Sequence, residues 1–99
     1  LRQWLRLALA PIRGDLAEAV LFGSILETDR QPNDVDLALV AVDDAGQPAW
    51  RRVRDLRSAI TPGFLETFGL PLSAMVLTPS EWLELDGRII RRREALFED

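Results

Sequence analysis

Leu1, Trp4, Leu5, Ala8 and Leu9 recur at steps of three and four, the apolar stripe of an amphipathic helix. Pro11 ends that helix or turns the chain, because proline lacks the amide hydrogen a helix interior needs. Gly14-Asp15 breaks the pattern a second time. The period then changes. Ala19, Val20, Leu21 and Phe22 form a continuous apolar run closed by Gly23, which predicts a short buried strand. Residues 24–33 are a polar connection. In it, Ser24 suits the cap of a short helical turn holding Ile25 and Leu26. Gln31-Pro32-Asn33-Asp34 is a turn that returns the chain to an extended form, and residues 36–42 predict a second, longer strand.

Residues 43–46 make a loop, and Gln47-Pro48 opens a helix, with Pro48 suited to its first turn. Trp50, Val53, Leu56 and Ile60 line one face of it, while Arg51, Arg52, Arg54, Asp55 and Arg57 lie elsewhere. Thr61-Pro62-Gly63 predicts an interruption. Beyond it, Phe64, Leu65 and Phe68 give one or two further turns, stopped by Gly69. Residues 72–77 predict a third strand, weakened by Ser73 and Ala74. Thr78-Pro79-Ser80-Glu81 is a capping box that starts another helix, along which Trp82, Leu85, Ile89 and Ile90 keep helical spacing. Gly87 weakens that helix without ending it. Ala95-Leu96-Phe97 suits either a closing strand or the helix's last turn. The predicted fold class is α/β (α+β): a small mixed sheet flanked by helices. With no repeat, linker or low-complexity segment, residues 1–99 read as a single domain.

Composition narrows the chemistry. Hydrophobic residues make up 47% of the 99, enough for a small core. Cysteine and histidine are both absent, which removes disulfides, zinc-thiolate sites and Ser-His or Cys-His nucleophiles. All 12 basic residues are arginine, so lysine phosphate clamps and Schiff bases are excluded too. A net charge of −4 argues against extended nucleic-acid binding, which favours basic chains. Apolar stretches fall short of a membrane span. Residues 1–9 carry Arg2 and Arg6 at helical spacing instead of a basic segment before an apolar block, so no secretory leader is expected. A cytoplasmic location is the expectation. With Leu rather than Met at position 1, a trimmed chain, or one domain of a larger transferase or transcription regulator, is the expectation. Trp4, Trp50 and Trp82 sit on apolar helical faces and read as core. Arg91-Arg92-Arg93, followed by Glu94, Glu98 and Asp99, reads as a solvated helix end.

What remains for chemistry is one stretch. Gly23 after a buried strand permits a tight turn and close approach of a ligand to the backbone. Ser24 offers a hydroxyl and an N–H at a helix start, where phosphate is favoured. Asp34 and Asp36 are two apart at the beginning of a strand. Their carboxylates therefore share a face, with Cα atoms about 6.5–7 Å apart in extended geometry. Such a pair suits a Mg2+ that also takes phosphate oxygens and water. Phosphoryl or nucleotidyl transfer needs both parts: a phosphate-seating turn and a divalent-metal seat.

Phe-Gly-Ser, nine residues, then Asp-Val-Asp-Leu resembles the signature of the DNA polymerase β-like nucleotidyltransferase superfamily. The likeness is greatest to its small stand-alone members, the minimal nucleotidyltransferases (MNT type) of bacteria and archaea. It covers most of the chain, including the ending Arg92-Arg93-Glu94-Ala95-Leu96-Phe97. The resemblance implies that Gly23 and Ser24 hold a nucleoside triphosphate, ATP first among candidates. Asp34 and Asp36 would be the catalytic, metal-binding acids, with Mg2+ as cofactor. The chain departs from the family at two points. Active members carry a third carboxylate on the next strand; here that strand offers only Ser73. Many also have a small residue and an arginine after the Gly-Ser, where this chain has Ile25-Leu26-Glu27. Two functions follow. One is nucleotidyl transfer to a hydroxyl acceptor. The other is a catalytically degenerate module that acts as an antitoxin beside a helical toxin-type partner, or as a regulatory or homo-oligomeric binding unit.

Overall fold

The computed structural model describes residues 1–26, 32–43, 45–85 and 93–97. In chain order the elements are α1 (Arg2–Leu9), a 3-10 helix (Ala10–Asp15), β1 (Leu16–Phe22), a 3-10 turn (Gly23–Leu26), β2 (Val35–Ala41), α2 (Pro48–Phe68), β3 (Leu72–Leu77), α3 (Pro79–Leu85) and β4 (Arg93–Ala95). The sheet order is β3-β2-β1-β4. β1 pairs antiparallel with both β2 and β4, whereas β2 and β3 run parallel. A parallel pair needs a long crossover, and α2 supplies it. The predicted mixed sheet flanked by helices is the observed architecture. Among the described residues, no helix is long and apolar enough to cross a membrane.

The sheet is covered unequally on its two faces. Val35, Leu37, Leu39 and Ala41 of β2 point into the larger core, with Leu5 and Leu9 of α1 and Val53 and Phe64 of α2. Ala38 and Val40 point the other way. They meet Val20, Leu77 and Trp82 in a smaller cluster beneath α3. β2 is thus buried on both sides, which is why it reads as an unbroken apolar run. At its N-terminal end the second face opens: Phe22 and Asp36 are half-buried and Ser73 is exposed.

Local chemistry explains the helix ends. The Thr78 hydroxyl accepts from the Glu81 amide at 3.2 Å, and the Thr78 amide donates to the Glu81 carboxylate at 2.9 Å, completing the predicted capping box. Gly69 closes α2 in the left-handed region, with φ of 70°. α1 is strapped to β4: Arg2 pairs with Glu94, and Arg6 Nε donates to the Leu96 carbonyl at 2.7 Å. The hydrogen bond from Arg2 holds the Glu94 carboxyl below its ordinary range.

Two expectations change. β1 begins at Leu16 rather than Ala19, because an irregular register between Leu16 and Glu18 carries the strand across exposed Ala17 and Glu18. α1 stops just before Pro11, as expected, and the chain goes on as a 3-10 helix to Asp15. The predicted break at Thr61-Pro62-Gly63 does not occur: α2 runs through Pro62 to Phe68. Beyond the proline, Phe64 is fully buried and Trp4 meets Phe64 and Phe68 edge-on at 5.4 and 5.9 Å. An interior proline costs about 3 kcal/mol. Burying one phenylalanine returns about 1.5–3 kcal/mol, and each aromatic pair adds roughly 0.5–1.5 kcal/mol. Packing therefore outweighs the proline. The expected continuation of α3 through Ile89 and Ile90 lies outside the described residues, as does Asp44 of the expected loop. Phe64→Ala should lower stability by about 3–5 kcal/mol in denaturant titration. Pro62→Ala should melt at or above the wild-type temperature.

Candidate functional site

The site forms where β1 ends and β2 begins. Antiparallel register sets Phe22 opposite Asp36, so Gly23, the next residue, turns away directly beside that aspartate. Gly23 has φ of +78°, a conformation few residues but glycine adopt readily. A Cβ built on it would lie 2.3 Å from Asp36 Oδ2 and 3.2 Å from Asp36 Cγ. The carboxylate thus lies against the bare Cα of the turn. Two sequence features separated by a polar connection are parts of one surface. Ser24 follows in the 3-10 turn Gly23–Leu26. Asp34 sits just before β2, half-buried, and Asp36 is the strand's second residue.

Both influences on Asp36 act in the same direction. Desolvation by burial, and secondarily the charge of Asp34, raise its pKa above the ordinary carboxylate value. An acid held this way gains from a cation, since the cation removes the repulsion and replaces lost hydration. The two oxygen donors suit a hard divalent ion that keeps water and phosphate in its remaining positions.

On the other side of Asp36 stands Ser73. The parallel register of β2 and β3 pairs these two residues, so their side chains leave the sheet on the same face. Ser73 is exposed and also lines an open recess between the β3 edge and α2, with Arg57, Ser58 and Thr61. A neutral hydroxyl thus stands beside the acid pair on the strand where the resemblance leads one to expect a third carboxylate. Among the described residues there is no group of three or more histidine, cysteine, aspartate or glutamate side chains able to hold a metal.

Sequence reading sets Arg93 in a solvated helix end; it lies instead in β4 opposite Phe22, with its guanidinium carbon 5.6 Å from the centre of the Trp82 ring. Arg91 and Arg92 lie outside the described residues. The alternation of Glu94 toward α1 and Arg93 toward Trp82 is the strand signal, but three residues are too few to show it.

No protein-family model matches the chain, and no curated protein sequence matches it. A solved crystal structure provisionally named a nucleotidyltransferase is similar over nearly its whole length. Its TM-score is 0.64 at 27% identity, with 96% of each chain covered. The chain has a nucleotidyltransferase fold. Within that fold, the open end of the sheet carries Gly23, Asp34 and Asp36 together.

The raised pKa of Asp36 gives a signed prediction. Its folded state binds a proton more tightly than its unfolded state, so its contribution to stability is full below the ordinary carboxylate pKa of about 3.9. That contribution is lost as pH rises through the folded value. In metal-free buffer, Asp36→Asn should therefore melt at or above wild type at pH 7, and the gap should close below about pH 4. Thermal unfolding followed by circular dichroism at the two pH values checks this.

Proposed function

We propose that the chain binds a Mg2+-nucleoside triphosphate at the Gly23 turn and acts as a nucleotidyltransferase toward a hydroxyl acceptor. The observation that carries this reading is the contact of the Asp36 carboxylate with the Gly23 Cα, which joins the Gly23 turn to the acid pair. The similarity in fold to a protein provisionally named a nucleotidyltransferase supports it.

In this reading Asp34 and Asp36 hold the cation. Gly23 admits the polyphosphate to the backbone where any side chain would collide with Asp36. When bound, the Mg2+ would neutralise phosphate charge and favour ionisation of the acceptor hydroxyl. The acceptor hydroxyl would give up its proton to solvent, and its oxygen would form a bond to the α-phosphorus as the bond to pyrophosphate breaks. Without histidine, cysteine or lysine, the chain's own part is positioning and charge compensation, which suffices for this class of transfer.

A second reading rests on Ser73. A serine beside Asp36 neither takes up a proton at neutral pH as a carboxylate does nor binds a hard cation as strongly. It favours a module that retains Mg2+-nucleotide binding without turnover and serves as an antitoxin or regulatory partner.

Calorimetric titration with ATP and Mg2+ tests the shared part. Wild type should bind, and Asp36→Asn should bind at least about tenfold more weakly, a loss of roughly 1.4 kcal/mol. Equal binding would refute the acid pair as a metal seat. Incubation with labelled triphosphates and Mg2+, alone and in lysate, separates the two readings: labelled product supports transfer, and binding without product supports the module.

A further inference from the structure

One row of side chains crosses the open face of the sheet. From β3 to β4 it runs Ser73, Asp36, Phe22, Arg93, because each residue is the registered partner of the next. Residues paired directly across strands leave the sheet on the same side. Among the described residues, Arg93 is the one basic residue in a strand. Its Cα lies two strand spacings from that of Asp36, about 10 Å. Phe22 forms the floor between them, and the Gly23 turn borders that floor.

We propose that Arg93 is the cation that holds the polyphosphate of the bound nucleotide, opposite the metal held by Asp34 and Asp36. The proposal rests on the nucleotide reading above and names the residue that meets the charge left over in it. Two carboxylates cancel a divalent cation, so the negative charge of a triphosphate must be met by other donors. The segment after Gly-Ser supplies no arginine at Ile25-Leu26-Glu27, and the chain contains no lysine. Arg93 stands on the correct face at a distance that a phosphate chain and an arginine side chain together span. Trp82 steadies it: the guanidinium packs at 5.6 Å from the ring, which reduces the freedom lost on binding. The planar fork of arginine then matches paired phosphate oxygens.

The test uses inorganic tripolyphosphate with Mg2+ as probe, followed by calorimetry and tryptophan emission. Wild type should bind and change its emission. Trp82 lies on the site's face, whereas Trp4 and Trp50 pack against the larger core. Arg93→Ala should weaken tripolyphosphate binding by about tenfold or more, and Arg93→Lys should restore part of it. Affinity for Mn2+ alone, read by electron paramagnetic resonance, should be the same in wild type and both variants. Because Arg93 is exposed, these variants should fold, and circular dichroism checks that. Equal tripolyphosphate affinity in wild type, Arg93→Ala and Arg93→Lys, with binding still lost in Asp36→Asn, would overturn the role of Arg93 and leave the nucleotide reading standing. Absence of tripolyphosphate binding by wild type would overturn both.

Discussion

The pairing of Phe22 with Asp36 is the constraint on which the candidate site depends. It fixes where β1 stops, and so where Gly23 must turn. It also fixes which way Asp36 points. Because the carboxylate then lies against the Gly23 Cα, the turn has no room for a side chain, and the left-handed backbone there suits glycine for a second, independent reason. Burial, and secondarily the charge of Asp34, raise the Asp36 pKa, so the arrangement costs the fold free energy at neutral pH. A cost of this kind at the open end of a sheet is expected of a binding site, where stability is exchanged for charge placement.

The rest of the structure holds that register. β2 is apolar on both faces beyond Asp36, so a slip by one residue would turn Asp36 into the larger core and send Leu37 to the open side. α2 makes the crossover that brings β3 alongside β2, and its buried Phe64 carries it past Pro62. α1 fastens the other edge through Arg2 to Glu94 and Arg6 to the Leu96 carbonyl. The same fastening orients β4, and with it the face on which Arg93 stands. Site and scaffold are thus linked strand by strand across the sheet.

Features set by neighbouring residues were legible in the sequence. The stripe of α1, the Thr78 and Glu81 capping box, the apolar run of β2 and the Gly69 stop all depend on contacts within a few positions. Features set by distant packing were not. Nothing near Pro62 reveals that Trp4 will pack against Phe64 and Phe68. The start of β1 passes through a register irregularity whose exposed residues hide the strand. At the candidate site, spacing and resemblance single out Gly23, Ser24, Asp34 and Asp36, but the contact between Gly23 and Asp36 follows only from the strand pairing. Arg93 reads as a helix end in the sequence because a three-residue strand has no readable period, and its neighbours across the sheet come from β1 and α3.

The most direct test of the central claim is a crystal structure of the protein grown with Mn2+ and a non-hydrolysable ATP analogue, with the metal located by its anomalous scattering. The account predicts a manganese peak between the carboxylates of Asp34 and Asp36, with phosphate density against the Gly23 backbone. A manganese ion bound elsewhere, or a nucleotide seated away from Gly23 with the acid pair unliganded, would contradict it.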